Sequence, residues 1–555
     1  MAGLRFARLK GCWVMEAWDI IVLGDGPAAL RAAAESAKTG ASTLMMSVDG
    51  LGSGGRSAAD GISAPLLESN NRGHREDTIR SGAFLCDQDI VNSITSAANR
   101  QMDLLERWGV NFRRDSKGIP LVSKGAGHGK PRTVNCGDST SREIQQVLEE
   151  QCMRYGVTRR GDQLPLSLVH SNQKINGLIA IDMVNGRILS LSAKAVIIAD
   201  GGFEGAFSNG VVGLGLDLAL QAGLPLRDME FITSTPLAIK DTNLVIPMGI
   251  LNAGATLHEA NGSELDVGEG DLNSVCSAVS GASQPVLDAR ELGDNSAWWD
   301  ATMRMVKSRT GIDMSKQTIE IESRADMTVG GIAVDENGRA VIGSWSRWFT
   351  GLYASGDAAC SGLHGAGSIV GNRLLDAMFL SAAAGQHAGE WVKNAQFTGT
   401  TALQQAFEQH HSSLSEASEI KQDEEVLRSG AVFNSIKSAA NDALGSSREI
   451  SSLTDGLEHM DKVLSTLEQM HVDQTSLIAN TNLVENARAA ASARLVTASI
   501  QAAISRQESR GVHQRSDFPD SNEELLHHIT VDQEGNMGQL AIRKTSSGNW
   551  LLPPV

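Results

Sequence analysis

The sequence predicts an α/β fold, with a smaller α+β segment between two stretches of strand grammar and a helical region after them. Three observations predict it. Residues 18–47 read as strand, glycine turn, alanine-rich helix and strand. Apolar strand runs stop at Asp200-Gly201-Gly202 and resume at 327. From about 400 to 515 apolar residues recur at helical spacing, interrupted at ALGSS. With 555 residues the chain is long enough for several hydrophobic cores.

The opening unit, DIIVLGDGPAALRAAAESAKTGASTLMMS, is a βαβ pattern of the Rossmann type. Gly24 and Gly26 permit a tight turn and the close approach of a pyrophosphate. Ala29 lets helix and strand pack closely, and the helix start at Pro27 and Ala28 offers unpaired N–H groups to an anion. Dinucleotide binding is the reading. The acidic residue expected after the second strand is absent, and Ser47 offers a hydroxyl to the ribose instead. The stretch SVDGLGSGGRSAADGISA then reads either as a flexible loop or as backbone wrapping a large cofactor, and its place after a nucleotide-binding strand favours the second.

Residues 75–160 carry two amphipathic helices and a glycine-rich loop. GLIAIDMVNGRILSLSAKAVIIADGG is a strand, an Asn-Gly hairpin and a strand, ending where Ala199 and Gly201 face a cofactor. The segment 236–325 is a smaller α+β unit with acidic loops, after which MTVGGIAVDENGRAVI and TGLYASGDAAC restore the strands. Asp357 closes the last of these in a glycine turn, where it either stabilises the turn or accepts a sugar hydroxyl; the second is favoured.

Bulk properties exclude several classes. A net charge of −17 without any Lys/Arg block argues against nucleic acid. The six cysteines form no CxxC pair, so neither a metal site nor a disulfide framework is expected, and a reducing, cytoplasmic setting is. No apolar run is long enough to span a bilayer. The basic stretch before Met15 lacks the apolar core of a signal peptide, and Met15 is an alternative start to Met1.

The motifs GDGPAA, ADGI, GHREDTIRSGAFLCDQDIV, GAGHGKPRTV, IIADGG, LALQAGLPLRDMEF, MTVGGIAVDENGR, GLYASGDAACSGLHGA, GNRLLD and SRQESRGVHQRSDFPD occur in that order. By them the chain resembles the flavoprotein subunit of succinate dehydrogenase and fumarate reductase, a family shared with L-aspartate oxidase, over 18–530. The resemblance implies an FAD-binding domain in two parts, 15–235 and 326–395. Between them it implies a capping domain, 236–325, and after them a helical domain, 396–525; the residues themselves then read as a short hairpin-like tail, 526–555. It implies an FAD-dependent oxidoreductase of the respiratory electron-transport and tricarboxylic acid cycle type, with hydride transfer at flavin N5 to or from a small organic acid. It also implies an iron–sulfur partner and membrane-anchor subunits that hold the chain against the inner face of a membrane. Further cofactor contacts carried over are Ala59, Asp60, Gly61, Asn372, Arg373 and Leu374, the last three at a helix start beneath the flavin ring.

The sequence departs from the family where substrate carboxylates are gripped. Thr235 and Asp326 stand at the two histidine positions, and Ser368 at the arginine of HGANR. Gly54 lies near the histidine that carries covalent flavin, so FAD is expected to be non-covalent. Arg290, Arg324, His364 and Arg373 are the remaining catalytic candidates. Solvent-exposed ion pairs are the alternative for the first two, a packed loop-supporting histidine for His364, and either a cation by flavin N1 or a solvent-facing side chain for Arg373. His128, Arg132, Arg510 and His513 read as scaffold. Three functions follow: a succinate or fumarate flavoprotein, the same fold acting on a less anionic substrate, or a catalytically silent assembly subunit.

Overall fold

The computed structural model describes residues 15–53, 59–66, 70–208, 210, 212–265, 270–417, 427–470 and 474–554. Its main sheet has eight strands. Five run parallel, in the order Thr158–Arg160, Thr43–Met46, Met15–Leu23, Arg187–Ile198 and Ser344–Ala354. Leu23 is in register with both Met46 and Ile198, and Ile198 with Ala354, so four strands end along one edge. That edge positions the site, because Gly24, Ser47, Ala199 and the Ser355-Gly356-Asp357 turn all leave from it.

These strands are runs of Ile, Val, Leu and Met because both faces are covered. On one side lie the first helix, Pro27–Lys38, and the helix Asn372–Trp391, packed so closely that a side chain at Gly385 would collide with the Ala32 backbone. The Ser36 hydroxyl donates to Gly385 O at 3.2 Å across the same contact. On the other side the helix Thr481–Ser505, rich in Ala and Ser and buried along most of its length, continues the core into the helical region.

The insert is a four-stranded antiparallel sheet, ordered Ile232–Ile239, Ile319–Thr328, Pro285–Asp288, Thr256–Glu259. It has its own core of Leu237, Leu257, Leu287, Trp299 and Ile321. Its two longest strands connect directly to the main body, so residues at their body ends reach the cofactor side.

The tail hairpin is structural. His528–Val531 and Met537–Leu540 extend a five-stranded sheet through Leu226–Arg227. A sealed charge network fastens it: His528 faces Asp228 at 2.7 Å through Nδ1 and Asp87 at 3.3 Å through Nε2. Arg227 and Arg543 also pair with Asp87.

Candidate flavin site

The dinucleotide cradle is made of backbone. Gly24 has φ +120°, and a Cβ there would collide with the Ala199 carbonyl. Gly26, by contrast, has open space where its side chain would be, as does Gly201. The first helix begins after Gly26 with Pro27, and no side chain caps the amides of its first turn. A side chain at Gly356 would collide with the Ala28 methyl, so the Asp357 turn lies against the same helix start. Ser47 sits at its strand end, mostly buried.

Sequence reasoning missed what holds this cradle. Asp25 accepts from the amides of Gly52 and Ser53 at 2.5 and 3.0 Å, and Arg159 approaches it at 3.3 Å. Gln145 donates to Asp25 O, and Arg488 from the helical region holds Asp49 at 2.8 Å. The loop after Ser47 is therefore anchored at its start. An acid between two glycines was the available signal, since it can bridge amides across a turn.

The second half of the site is built from side chains. The helix Asn372–Trp391 starts after Gly371, whose φ of +84° lets it lie against Ser63. Ser63 binds this turn twice, its amide to Gly371 O at 3.1 Å and its hydroxyl to Val370 O at 2.9 Å, which docks the Ala59-Asp60-Gly61 loop on the helix start. The Asn372 side chain is spent on His74 (2.8 Å) and Thr78 (3.0 Å), so it locks the helix in place and only backbone remains for a ligand. Leu374 is half-buried one turn-step on.

Arg373 points inward. It binds Asp357 Oδ2 through Nε at 2.9 Å and Nη2 at 2.6 Å, and Asp326 Oδ2 at 3.2 Å. Glu204 lies farther off at 3.4 Å. Asp60 belongs to the same group, its charge coupled to Asp326 and Arg373 and its Oδ1 accepting from the Met248 amide of the insert at 2.6 Å. These groups lie deep in the body, yet Arg373, Asp326, Asp357 and Glu204 keep 19–38% of their side chains accessible. They face an internal opening. Burial pushes the Asp60 carboxyl up to about 6 and the Glu204 carboxyl up to about 7, against the pull of Arg373, and raises Asp326 as well. The acids around it hold Arg373 firmly charged despite its burial.

Ser368 takes another environment. Its hydroxyl contacts His364 Nδ1 at 3.2 Å, and His364 Nε2 lies 3.5 Å from Asp376. His364 is 7% exposed, a packed histidine holding its loop. Ser368 also lines a cavity of about 650 Å³ between the insert and the helical region, with Ser234, Ser277, Arg324 and Lys437. Arg324 pairs with Glu322 at 2.6 Å and donates to Ile239 O at 3.1 Å. Arg290 is exposed and binds Asp288 at the surface, away from the opening. The structure thus brings Asp60, Asp357 and Arg373 together and leaves Arg290 outside. It adds Glu204, which no local residue pattern singled out. His128, Arg132, Arg510 and His513 are all hydrogen-bonded anchors, as with His128 on Val370 O and Arg132 on Asp77.

An FAD binding domain model matches residues 19–374, and a fumarate reductase flavoprotein C-terminal model matches 434–553. The chain belongs to the succinate dehydrogenase and fumarate reductase flavoprotein family. It is 26% identical to the fumarate reductase flavoprotein subunit of Mycobacterium tuberculosis, over 93% of this chain and 95% of that one. It is equally 26% identical to the succinate dehydrogenase flavoprotein subunit of Rickettsia bellii, over 94% of each. In fold it is similar to E. coli quinol fumarate reductase, with a TM-score of 0.87, 23% identity and 98% coverage of both chains.

Members of this family are FAD-dependent oxidoreductases, and FAD is the cofactor of this chain. The residues fit it: the unfilled space above Gly26 and Gly201 and the free amides at the helix start suit a pyrophosphate, and the opening beside the second helix start lies along the same sheet edge. Gly54, on which the expectation of non-covalent FAD rests, lies outside the described residues. Among the described residues no helix is long and apolar enough to cross a membrane.

Proposed function

We propose that this chain is the flavoprotein subunit of an oxidoreductase that moves a hydride between flavin N5 and a small organic acid. Its electrons pass to an iron–sulfur subunit, within a complex attached to the inner face of a membrane by anchor subunits. The observation that carries the reading is that an intact backbone cradle is joined to an insert whose strand end, at Asp326, faces the same opening as Asp60 and Arg373. The relatives named above are subunits of fumarate- and succinate-handling enzymes, which supports the partner class.

Bound FAD supplies the hydride-accepting N5 position. The protein's own groups do the rest. The helix start at Ala28 and Ala29 holds the pyrophosphate, Ser47 and Asp357 are placed for the ribose and ribityl hydroxyls, and the amides at 372–374 lie at a positive helix end. The Met248 contact to Asp60 ties the insert to the flavin loop.

A second reading of the substrate is favoured by Thr235, Asp326 and Ser368. Arg373 is already committed to Asp357 and Asp326, so a four-carbon dicarboxylate would meet acids where it needs cations. Burying a carboxylate unpaired costs several kcal/mol. A less anionic acid suits the site better.

Anaerobic addition of succinate to the FAD-loaded protein separates these readings. Bleaching of the flavin supports a dicarboxylate enzyme, and an unchanged spectrum together with bleaching by a monocarboxylic or hydroxy acid supports the second substrate reading. Flavin that no organic acid reduces would leave the silent assembly role and reject the enzymatic proposal. Co-purification of a cysteine-rich iron–sulfur protein tests the partner.

A further inference from the structure

The acids around Arg373 outnumber it four to one, and they are not equivalent. Asp357 receives two guanidinium hydrogen bonds and Asp326 one. Asp60 accepts a backbone amide. Glu204 has only a 3.4 Å contact through Oε1, and its Oε2 has no hydrogen-bond partner among the described residues. Glu204 is thus the carboxylate whose negative charge is least compensated, its Oε2 buried without a partner while the side chain as a whole keeps 26% of its surface accessible. It comes from the turn after Gly202, Asp326 from the insert, Asp357 from a strand end, Asp60 from the flavin loop and Arg373 from a helix start.

Two-electron reduction of flavin with a proton at N5 leaves one added negative charge on the ring's pyrimidine side. In an opening that already holds this excess of carboxylates, the added charge is repelled unless something neutral replaces an anion.

We propose that Glu204 is a charge-compensating proton acceptor: it takes a proton from solvent as the flavin is reduced and returns it on reoxidation. The step balances. The flavin gains two electrons and one proton at N5, supplied as hydride by the organic acid, and the Glu204 carboxylate gains one proton to become a carboxylic acid. Two protons in all enter the site per two electrons. Arg373 is the positioning residue, its guanidinium engaged by Asp357 and Asp326 so that Glu204 is the carboxylate left to take the proton. The inference rests on the flavoprotein reading, and the near-neutral carboxyl of Glu204 is consistent with it.

The test is the midpoint potential of the flavin in FAD-loaded protein, measured against reference dyes between pH 7 and 8, where free reduced flavin takes up one proton. A one-proton, two-electron couple falls by about 30 mV per pH unit and a two-proton couple by about 59 mV. The expected result is a slope steeper than the first value and approaching the second toward pH 8. Glu204→Gln should return it to the one-proton slope while FAD stays bound. A wild-type slope of about 30 mV throughout, or a Glu204→Gln slope equal to that of wild type, overturns the proposal. Should Glu204→Gln not fold, Arg373→Ser serves: with Asp357 and Asp326 released, the pH dependence of the potential must change, and an unchanged profile is equally fatal. A protein that takes up no FAD defeats the flavoprotein reading, and the inference with it.

Discussion

Two buried charge clusters share this molecule, and they are built on opposite terms. The cluster that fastens the tail is sealed: Asp87, Asp228, Arg227 and His528 are at most 1% exposed, and each carboxylate is paired with cations. Asp87 and Asp228 are both held below the usual carboxylate range despite burial, by His528 with Arg543 and Arg227. His528 is raised, because both its ring nitrogens face carboxylates, which favour the charged ring. The cluster around Arg373 is open and anionic, and there Asp60, Glu204 and Asp326 move the other way. A sealed, balanced network serves cohesion, whereas an open, unbalanced one stores electrostatic strain that a ligand or a proton can relieve.

Removing one partner from each side should expose the contrast. Asp87→Ala leaves Arg227, Arg543 and His528 buried without their shared anion, and should cost about 3–5 kcal/mol of unfolding free energy. Asp326→Asn in the open cluster should be neutral or stabilising. Urea unfolding of the two variants decides it, and a cost below about 1 kcal/mol for Asp87→Ala would show that the network is dispensable. The pH signs differ too. His528 is raised in the folded state, so its contribution is complete below its unfolded value and is lost as pH rises through the folded one.

The cradle is a third kind of construction, without side chains to remove. Gly24→Ala would drive a methyl into the Ala199 carbonyl at a φ that alanine resists, and should weaken FAD binding at least about tenfold, or ~1.4 kcal/mol. A flavin titration of the refolded variant measures this, and unchanged affinity would mean that the pyrophosphate lies elsewhere.

These differences explain what could be read in the sequence. The parallel sheet, the first helix and the cradle were legible because backbone geometry demands glycine, alanine and apolar runs at fixed spacing, as at Gly24, Gly26 and Ala29. The Arg373 group was only half legible. Asp357 and Asp60 sat in recognisable turns, but Glu204 and Asp326 meet Arg373 across 169 and 47 residues of chain, and no local pattern encodes that meeting. The tail hairpin showed its turn but not its partner, since its pairing to Leu226–Arg227 depends on a sheet assembled from distant pieces. The cap on the flavin loop, Met248 to Asp60, is a backbone donor and left no trace in residue type.

A pH experiment sharpens the comparison of the two clusters. Glu204 and Asp60 bind protons more tightly folded than unfolded, so the native state loses relative stability as pH rises from about 4 toward 7. Glu204→Gln and Asp60→Asn in the FAD-free protein should therefore raise stability by about 1–2 kcal/mol at pH 8, and the gain should vanish by pH 4. A gain independent of pH would point to packing rather than to charge.

The smallest effects separate two arginines that look alike in sequence. Arg290 and Arg324 each bind an acid two residues upstream, Asp288 and Glu322. Arg290 does so in open solvent, where the guanidinium loses little on truncation, so Arg290→Ala should leave both the melting temperature and FAD binding unchanged within error. Arg324 lines the cavity beneath the insert, is only 14% exposed, and also caps the Ile239 carbonyl. Arg324→Ala should cost about 1 kcal/mol through the lost hydrogen bonds. Equal behaviour of the two variants would mean that the cavity wall is as wet as the surface, and that the space bordered by Ser368 is part of bulk solvent rather than a bounded site.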